Sequence, residues 1–172
     1  MAHIQLFDPS DLPRLAELGV AASFQPLWAY EDSYIRELTE PRLGPERSRW
    51  LYPIRSVAGT GAIVAAGSDW SVTSMNPLLA IEVGITRRDP DLGAGPAWLP
   101  EERVDLETML RAYTIAAAEA LDLEAETGSI EVGKKADLVV LERDLFAIPP
   151  QDISEVAVDL TLFEGRVVFR RE

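Results

Sequence analysis

The chain contains no cysteine and one histidine, His3, in 172 residues. Without cysteine there is no disulfide scaffold, no Cys-ligated zinc, no iron–sulfur cluster and no thiol nucleophile, and the composition fits the cytoplasm. With one histidine, a Ser–His–Asp triad would have to use His3, and a His-rich metal centre cannot be built from these residues alone. Basic residues are also scarce, 16 against 29 acidic ones, which leaves a net charge of −13. That field repels polyanions and no basic stripe is present, so no nucleic-acid partner is expected. No apolar run approaches the ~18 residues of a membrane span. The opening residues have neither the basic nor the apolar region of a signal peptide, so no membrane association is expected. The GxGxxG, P-loop and GxSxG patterns are missing too, and Gly59-Thr60-Gly61 precedes a strand rather than a helix.

With 47% hydrophobic and 26% charged residues, the composition is that of an ordinary globular chain. Asp8-Pro9-Ser10-Asp11 reads as a helix start. Leu12, Leu15 and Ala16 follow at helical spacing, and Gly19 is the stop. The apolar run 20–24 predicts a buried strand. Residues 26–45 read as loop with a short helix over 32–38. Pro45 opens a predicted helix over 46–58, with Trp50, Leu51, Ile54 and Val57 on one face. The run 62–66 is a second fully apolar strand, and strands buried on both faces belong to parallel α/β sheets. A helix is predicted over 77–87 and a loop over 88–103. Asp105 then caps a helix whose apolar positions run from Leu106 to Leu121. Beyond residue 123 the turns Gly128-Ser129, Gly133-Lys134 and Glu164-Gly165 separate predicted strands over 136–141, 156–163 and 167–169. The expected division is therefore an α/β part, 1–123, and a β part, 124–172.

Gly67-Ser68-Asp69-Trp70 follows the 62–66 strand directly. A carboxylate at the C-terminal mouth of a parallel strand stands where α/β proteins place reactive groups, so Asp69 is a candidate metal ligand or proton acceptor. Asp commonly caps turns in the same position. His3 lies in a short stretch that can form a strand. It is a candidate ligand sharing a site with Asp69, although a histidine beside the first residue is often frayed. Gln25-Pro26 stands at another strand mouth, where polar residues are usually ordinary loop. Trp28, Tyr30, Tyr34, Trp50, Tyr52, Trp70 and Trp98 can line a pocket for an apolar or aromatic substrate or, more commonly, seal a helix layer.

Ala65-Ala66-Gly67-Ser68-Asp69-Trp70, Asn76-Pro77-Leu78 and Ala112-Tyr113-Thr114 together resemble the C-terminal third of a metal-dependent amidohydrolase. The most specific stretch begins at Gly128-Ser129-Ile130-Glu131-Val132-Gly133-Lys134 and continues through Lys135-Ala136-Asp137-Leu138-Val139-Val140-Leu141. It resembles that superfamily's tail signature, and Phe163-Glu164-Gly165-Arg166-Val167-Val168 resembles its closing hairpin. Gly67-Ser68-Asp69-Trp70 and the 11–19 helix point to the amidohydrolase family 3 group, which includes N-substituted formamide deformylases and proteins labelled exoenzyme regulatory. The resemblance implies an α/β fold, the C-terminal part of a (β/α)8 TIM barrel followed by part of a small composite β-sandwich. It implies zinc or another divalent metal in the complete protein, and a small-molecule amide-type substrate. Asp69 matches the strand-8 aspartate, at the metal and acting as general base. His3 matches the strand-6 histidine, a metal ligand or its neighbour, with Ala2 where the family usually has an acidic residue. The tail motif matches sandwich structure and carries no chemistry. The family's other metal ligands would lie upstream of Met1, so the chain alone is expected to bind no stoichiometric metal and to be inactive. The rival expectation is a non-catalytic module that covers its open barrel edges by forming a homo-oligomer. A third is a split enzyme whose N-terminal part is a separate chain.

Overall fold

The computed structural model describes residues 1–92 and 95–172. Its first sheet is parallel. Strand β1 (Ala2–His3) is followed by a 3-10 turn, Pro9–Asp11, and helix α1 (Leu12–Glu17). Asp8 caps the turn by accepting the Ser10 N–H at 2.9 Å, and Gly19 closes the helix at φ +62°. The chain then enters β2 (Ala22–Phe24). After a 3-10 turn, Pro26–Trp28, the predicted short helix winds as a π-helical turn, Ile35–Thr39. It runs into α2 (Glu40–Leu43) and, past Gly44, into α3 (Pro45–Ser48).

The helix expected over 46–58 is broken. Leu51 forms an isolated antiparallel bridge with Leu6, the Tyr52 N–H donates to the Gln5 carbonyl at 3.0 Å, and α4 covers only Ile54–Ala58. Pro53 accounts for the break: it lacks an N–H and disfavours helical geometry in the residue before it, and Tyr52 stands at φ +47°. Strand β3 (Val64–Ala66) then completes the sheet in the order β1-β2-β3, with both pairings parallel. Each strand therefore joins its predecessor, and the intervening helices cover the crossovers.

Helix α5 (Pro77–Thr86) is capped by Asn76, whose side chain accepts the Leu78 N–H at 3.0 Å; it ends where Arg87 turns left-handed. The expected 88–103 loop contains a 3-10 turn, Pro100–Glu102, and its residues 93 and 94 lie outside the described residues. The last long helix comes in two pieces, α6 (Leu106–Tyr113), capped by Asp105, and α7 (Ile115–Glu119). They are separated at Thr114, which stands at φ −124°, ψ −102°. Strands β4 (Leu138–Leu141), β5 (Val158–Phe163) and β6 (Arg166–Arg170) form an antiparallel sheet in that order, with Glu164-Gly165 as the hairpin turn.

Phe24, Leu51, Ile54, Val57, Val83 and Met109 are fully buried in one core. Leu145, Ile153 and Val156, from the segment between β4 and β5, join the same cluster. Glu82, 2% exposed, ties that segment to α5 by accepting the Ser154 N–H at 2.8 Å. Burial pushes its carboxyl above the ordinary range, the Ser154 hydrogen bond opposes this, and Glu155 and Asp152 add to it. Among the described residues, no helix is long and apolar enough to cross a membrane.

Candidate functional site

The strand register lines up the candidate residues. His3 pairs with Phe24 and Phe24 with Ala66, so the C-terminal ends of β1, β2 and β3 share one rim of the sheet. His3 is the last residue of β1, Gln25 follows β2, and Gly67-Ser68-Asp69 follows β3. The His3 Nδ1 lies 2.8 Å from the Gln25 Oε1, and the imidazole stacks on Trp28 with centroids 5.6 Å apart and planes at 16°. A carboxamide oxygen only accepts, so Nδ1 carries the proton and donates, which leaves the Nε2 lone pair for a metal or a proton. Histidine ligands are commonly oriented in this way through their second nitrogen.

Gln25, a strand-mouth candidate for which ordinary loop is the expected reading, instead holds the imidazole. It is 5% exposed, and a buried carboxamide needs a partner. The available signal was a polar residue placed between the buried strand end Phe24 and the turn-forming Pro26. That turn, Pro26–Trp28, brings the indole onto the imidazole.

Asp69 sits at φ +53°, and His3 and Ile4 sit at φ +69° and φ +40°. Non-glycine residues held in this region cost about 1–2 kcal/mol each and tend to occur at functional sites. The turn around Asp69 is fixed by its backbone neighbours. The Val72 N–H donates to the Asp69 carbonyl at 2.7 Å, the Trp70 N–H to the Ser68 Oγ at 3.2 Å, and the Thr73 hydroxyl to the Ser68 carbonyl. The Asp69 carboxylate is exposed and has no hydrogen bond or ion pair among the described residues. His3 and Asp69 thus emerge from the same rim, on strands separated only by β2. Tetrahedral zinc takes about four donors. Among the described residues, no group of three or more His, Cys, Asp or Glu side chains is placed to hold a metal ion. The two residues fit as members of a larger donor set and do not make a site alone.

Beside this rim lies a cleft of about 500 Å³. Gln5 from the segment after β1, Trp28 and Tyr30 after β2, and Thr73 and Ser74 after β3 all line it. Four of the seven aromatics considered above, Trp28, Tyr30, Tyr34 and Tyr52, are in its wall. Trp98 instead seals the helix layer: its Nε1–H donates to the Glu40 Oε1 at 2.9 Å, its ring meets Tyr52 edge-on at 6.3 Å, and Arg87 lies over it at 4.9 Å. Trp70 is 65% exposed, and Trp50 borders two other depressions. Burial raises the Tyr30 phenol, and Asp89, Asp32 and Asp91 raise it further. The Tyr52 phenol is pushed up to about 12, by burial first and then by Asp32, with Arg87 opposing.

The family model described as "Amidohydrolase family" matches residues 1–169. An N-substituted formamide deformylase of Arthrobacter pascens is 33% identical over 171 residues, covering 99% of this chain and 31% of the relative. The protein LONG AFTER FAR-RED 3 of Arabidopsis thaliana is 34% identical over 153 residues, covering 88% of this chain and 25% of the relative. Among solved structures, an uncharacterized metal-dependent hydrolase from Pyrococcus horikoshii superposes with a TM-score of 0.71 at 26% identity. That match covers 87% of this chain and 29% of the other. The chain thus spans about a third or less of the length of these proteins.

Proposed function

The chain belongs to the amidohydrolase family, and from that premise we propose that it is the C-terminal portion of a metal-dependent hydrolase of amide- or formamide-type C–N bonds. The observation that carries this reading is the shared rim, where three consecutive parallel strands present His3, Gln25 and Asp69 at one end. The β1–β3 sheet is then an arc of a (β/α)8 barrel, and the β4–β6 sheet part of a β-sandwich, with the division placed near residue 124. In the complete protein a divalent metal, zinc or another, would supply a water of lowered pKa. His3, oriented by Gln25 and Trp28, would offer its Nε2 to the donor set, and Asp69 would join it. Asp69 would also be the proton acceptor, taking a proton from the attacking water and passing it to the leaving nitrogen. The overall change is R–CO–NH–R′ + H2O → R–COO⁻ + R′–NH3⁺. The remaining donors come from the two-thirds of the relatives' length that this chain does not span.

On its own the chain is therefore expected to hold far less than one zinc per molecule and to turn over no N-substituted formamide. Metal analysis by mass spectrometry on the tag-free chain, with His3→Ala alongside, tests this. Stoichiometric zinc that disappears in His3→Ala, together with turnover lost in Asp69→Asn, would overturn the claim that the chain is incomplete.

A second reading is favoured by the exposed apolar residues of the antiparallel sheet. Val139, Val140, Phe163, Val167 and Phe169 are all exposed, and exposed apolar side chains gathered on one small sheet are a candidate interaction surface. In that reading the chain is a non-catalytic module that self-associates. Sedimentation equilibrium at micromolar concentration then gives a multiple of 19.0 kDa. A monodisperse 19.0 kDa species removes this second reading.

A further inference from the structure

The 500 Å³ cleft has a chemical character that hydrolysis alone does not explain. Its size suits a fragment of small-molecule dimensions. Trp28, Tyr30, Tyr34 and Tyr52 give it four aromatic walls. Among its described lining the charged residues are Asp32 and Asp91, with no lysine, arginine or histidine. No basic side chain forms an ion pair with either carboxylate among the described residues. Asp89 adds a third negative charge close enough to act on the Tyr30 phenol.

A positive charge, Arg87, acts on Tyr52 from behind its wall. Its guanidinium is fully buried and is engaged by the carbonyls of Tyr52 at 3.0 Å, Trp98 at 3.2 Å and Leu51 at 3.4 Å. It supports the wall and does not line the cleft. Asp32 spends Oδ1 on the Ile35 N–H at 2.7 Å, at the head of the π-helical turn. That bond anchors the carboxylate in the wall, and π-helical turns recur at functional sites. Aromatic faces and carboxylates attract the same kind of ligand, an organic cation with an apolar body. They disfavour an anion of the same shape.

We propose that this cleft binds organic ammonium ions carrying an aryl or branched-alkyl group. If the hydrolase reading holds, this ligand is the amine product, because the substrate's amide nitrogen is neutral and C–N hydrolysis releases the amine as R′–NH3⁺ at neutral pH. Trp28 would then connect the two sites, stacked on His3 and forming part of the amine cleft. The binding itself does not depend on that reading.

The test is an NMR titration of the 172-residue chain with benzylammonium, benzyl alcohol and phenylacetate, three probes of similar shape and different charge. Benzylammonium is expected to bind at least about 5-fold more tightly than benzyl alcohol, a difference of about 1 kcal/mol. Phenylacetate should show no binding. Asp91→Asn and Asp32→Asn, the latter keeping an oxygen for the Ile35 cap, should each weaken benzylammonium by about 3- to 10-fold at low salt and leave benzyl alcohol unchanged. Equal affinity for benzylammonium and benzyl alcohol, binding of phenylacetate, or no binding of any probe would each overturn the proposal. Neither metal nor turnover enters the readout. A failed titration therefore leaves the hydrolase reading standing, and a catalytically silent chain leaves the ammonium site standing.

Discussion

Arg87→Met is expected to lower the melting temperature by about 10 °C, from a loss of about 3–5 kcal/mol. Arg87 ends α5 in the left-handed region at φ +55° and turns its side chain into the core with no exposed surface. Three carbonyls from two separate segments converge on it: Leu51 and Tyr52 from the broken helix region, and Trp98 from the loop before α6. The Trp98 indole packs against the same guanidinium, 4.9 Å from its centroid. Burial draws the side-chain pKa down to about 10, so the group stays charged at neutral pH and the carbonyls surround a cation. Methionine fills similar volume but donates nothing, and each buried carbonyl left without a partner costs about 1–3 kcal/mol. Arg87→Lys should recover only a minor part, since a single ammonium cannot span three acceptors in a fork. Thermal unfolding followed by circular dichroism measures both variants. A change of only a few degrees in Arg87→Met would mean that the three carbonyls find other partners.

Arg87 also marks a limit of sequence reading. An arginine after a run of apolar helical residues looks like a charge placed to complement the helix dipole. Its burial depends on Leu51, Tyr52 and Trp98, which no periodicity connects to it. The same limit applies to the His3–Gln25 hydrogen bond, which joins the end of β1 to the residue that follows its neighbour β2. By contrast, the Asp8–Gly19 helix, the 20–24 and 62–66 strands, the Asn76 and Asp105 starts and the β5–β6 hairpin were legible, because each rests on local caps, glycine turns or apolar runs. The break before α4 was also in reach. Pro53 inside a predicted helix is a local signal, and the apolar spacing of Trp50, Leu51, Ile54 and Val57 obscured it. The break at Thr114 was not in reach, because α6 and α7 together keep one apolar face in sequence. The rim and the cleft were half legible: Asp69 and the aromatics could be picked out, but their grouping required the parallel order of β1, β2 and β3.

The Thr114 break leads to the second large effect, in the tail motif. Gly128→Ala is expected to destabilise the chain by about 3–5 kcal/mol, and Gly133→Ala, five positions along the same motif, by about 1–2 kcal/mol. Both glycines have positive φ, +90° and +100°, so alanine brings backbone strain at either position. Their surroundings differ. A Cβ on residue 128 would lie 2.8 Å from the Ala118 Cβ, 3.0 Å from the Ile115 Cα and 3.2 Å from the Thr114 carbonyl oxygen, whereas nothing lies within 4 Å of one on residue 133. Two of those three contacts are backbone, which cannot swing aside as a flexible side chain can. Gly128 is therefore the point at which the segment after α7 presses back onto α7, just where Thr114 interrupts the helix. Subtracting the Gly133→Ala loss from the Gly128→Ala loss in paired urea titrations cancels the common strain and leaves the packing contribution, about 2 kcal/mol. Equal losses would mean that the motif's glycines serve only their own turns. A clear excess at Gly128 would mean that this most specific stretch of the sequence holds the two sheets' supporting elements together, which is a structural duty and leaves the chemistry to the rim.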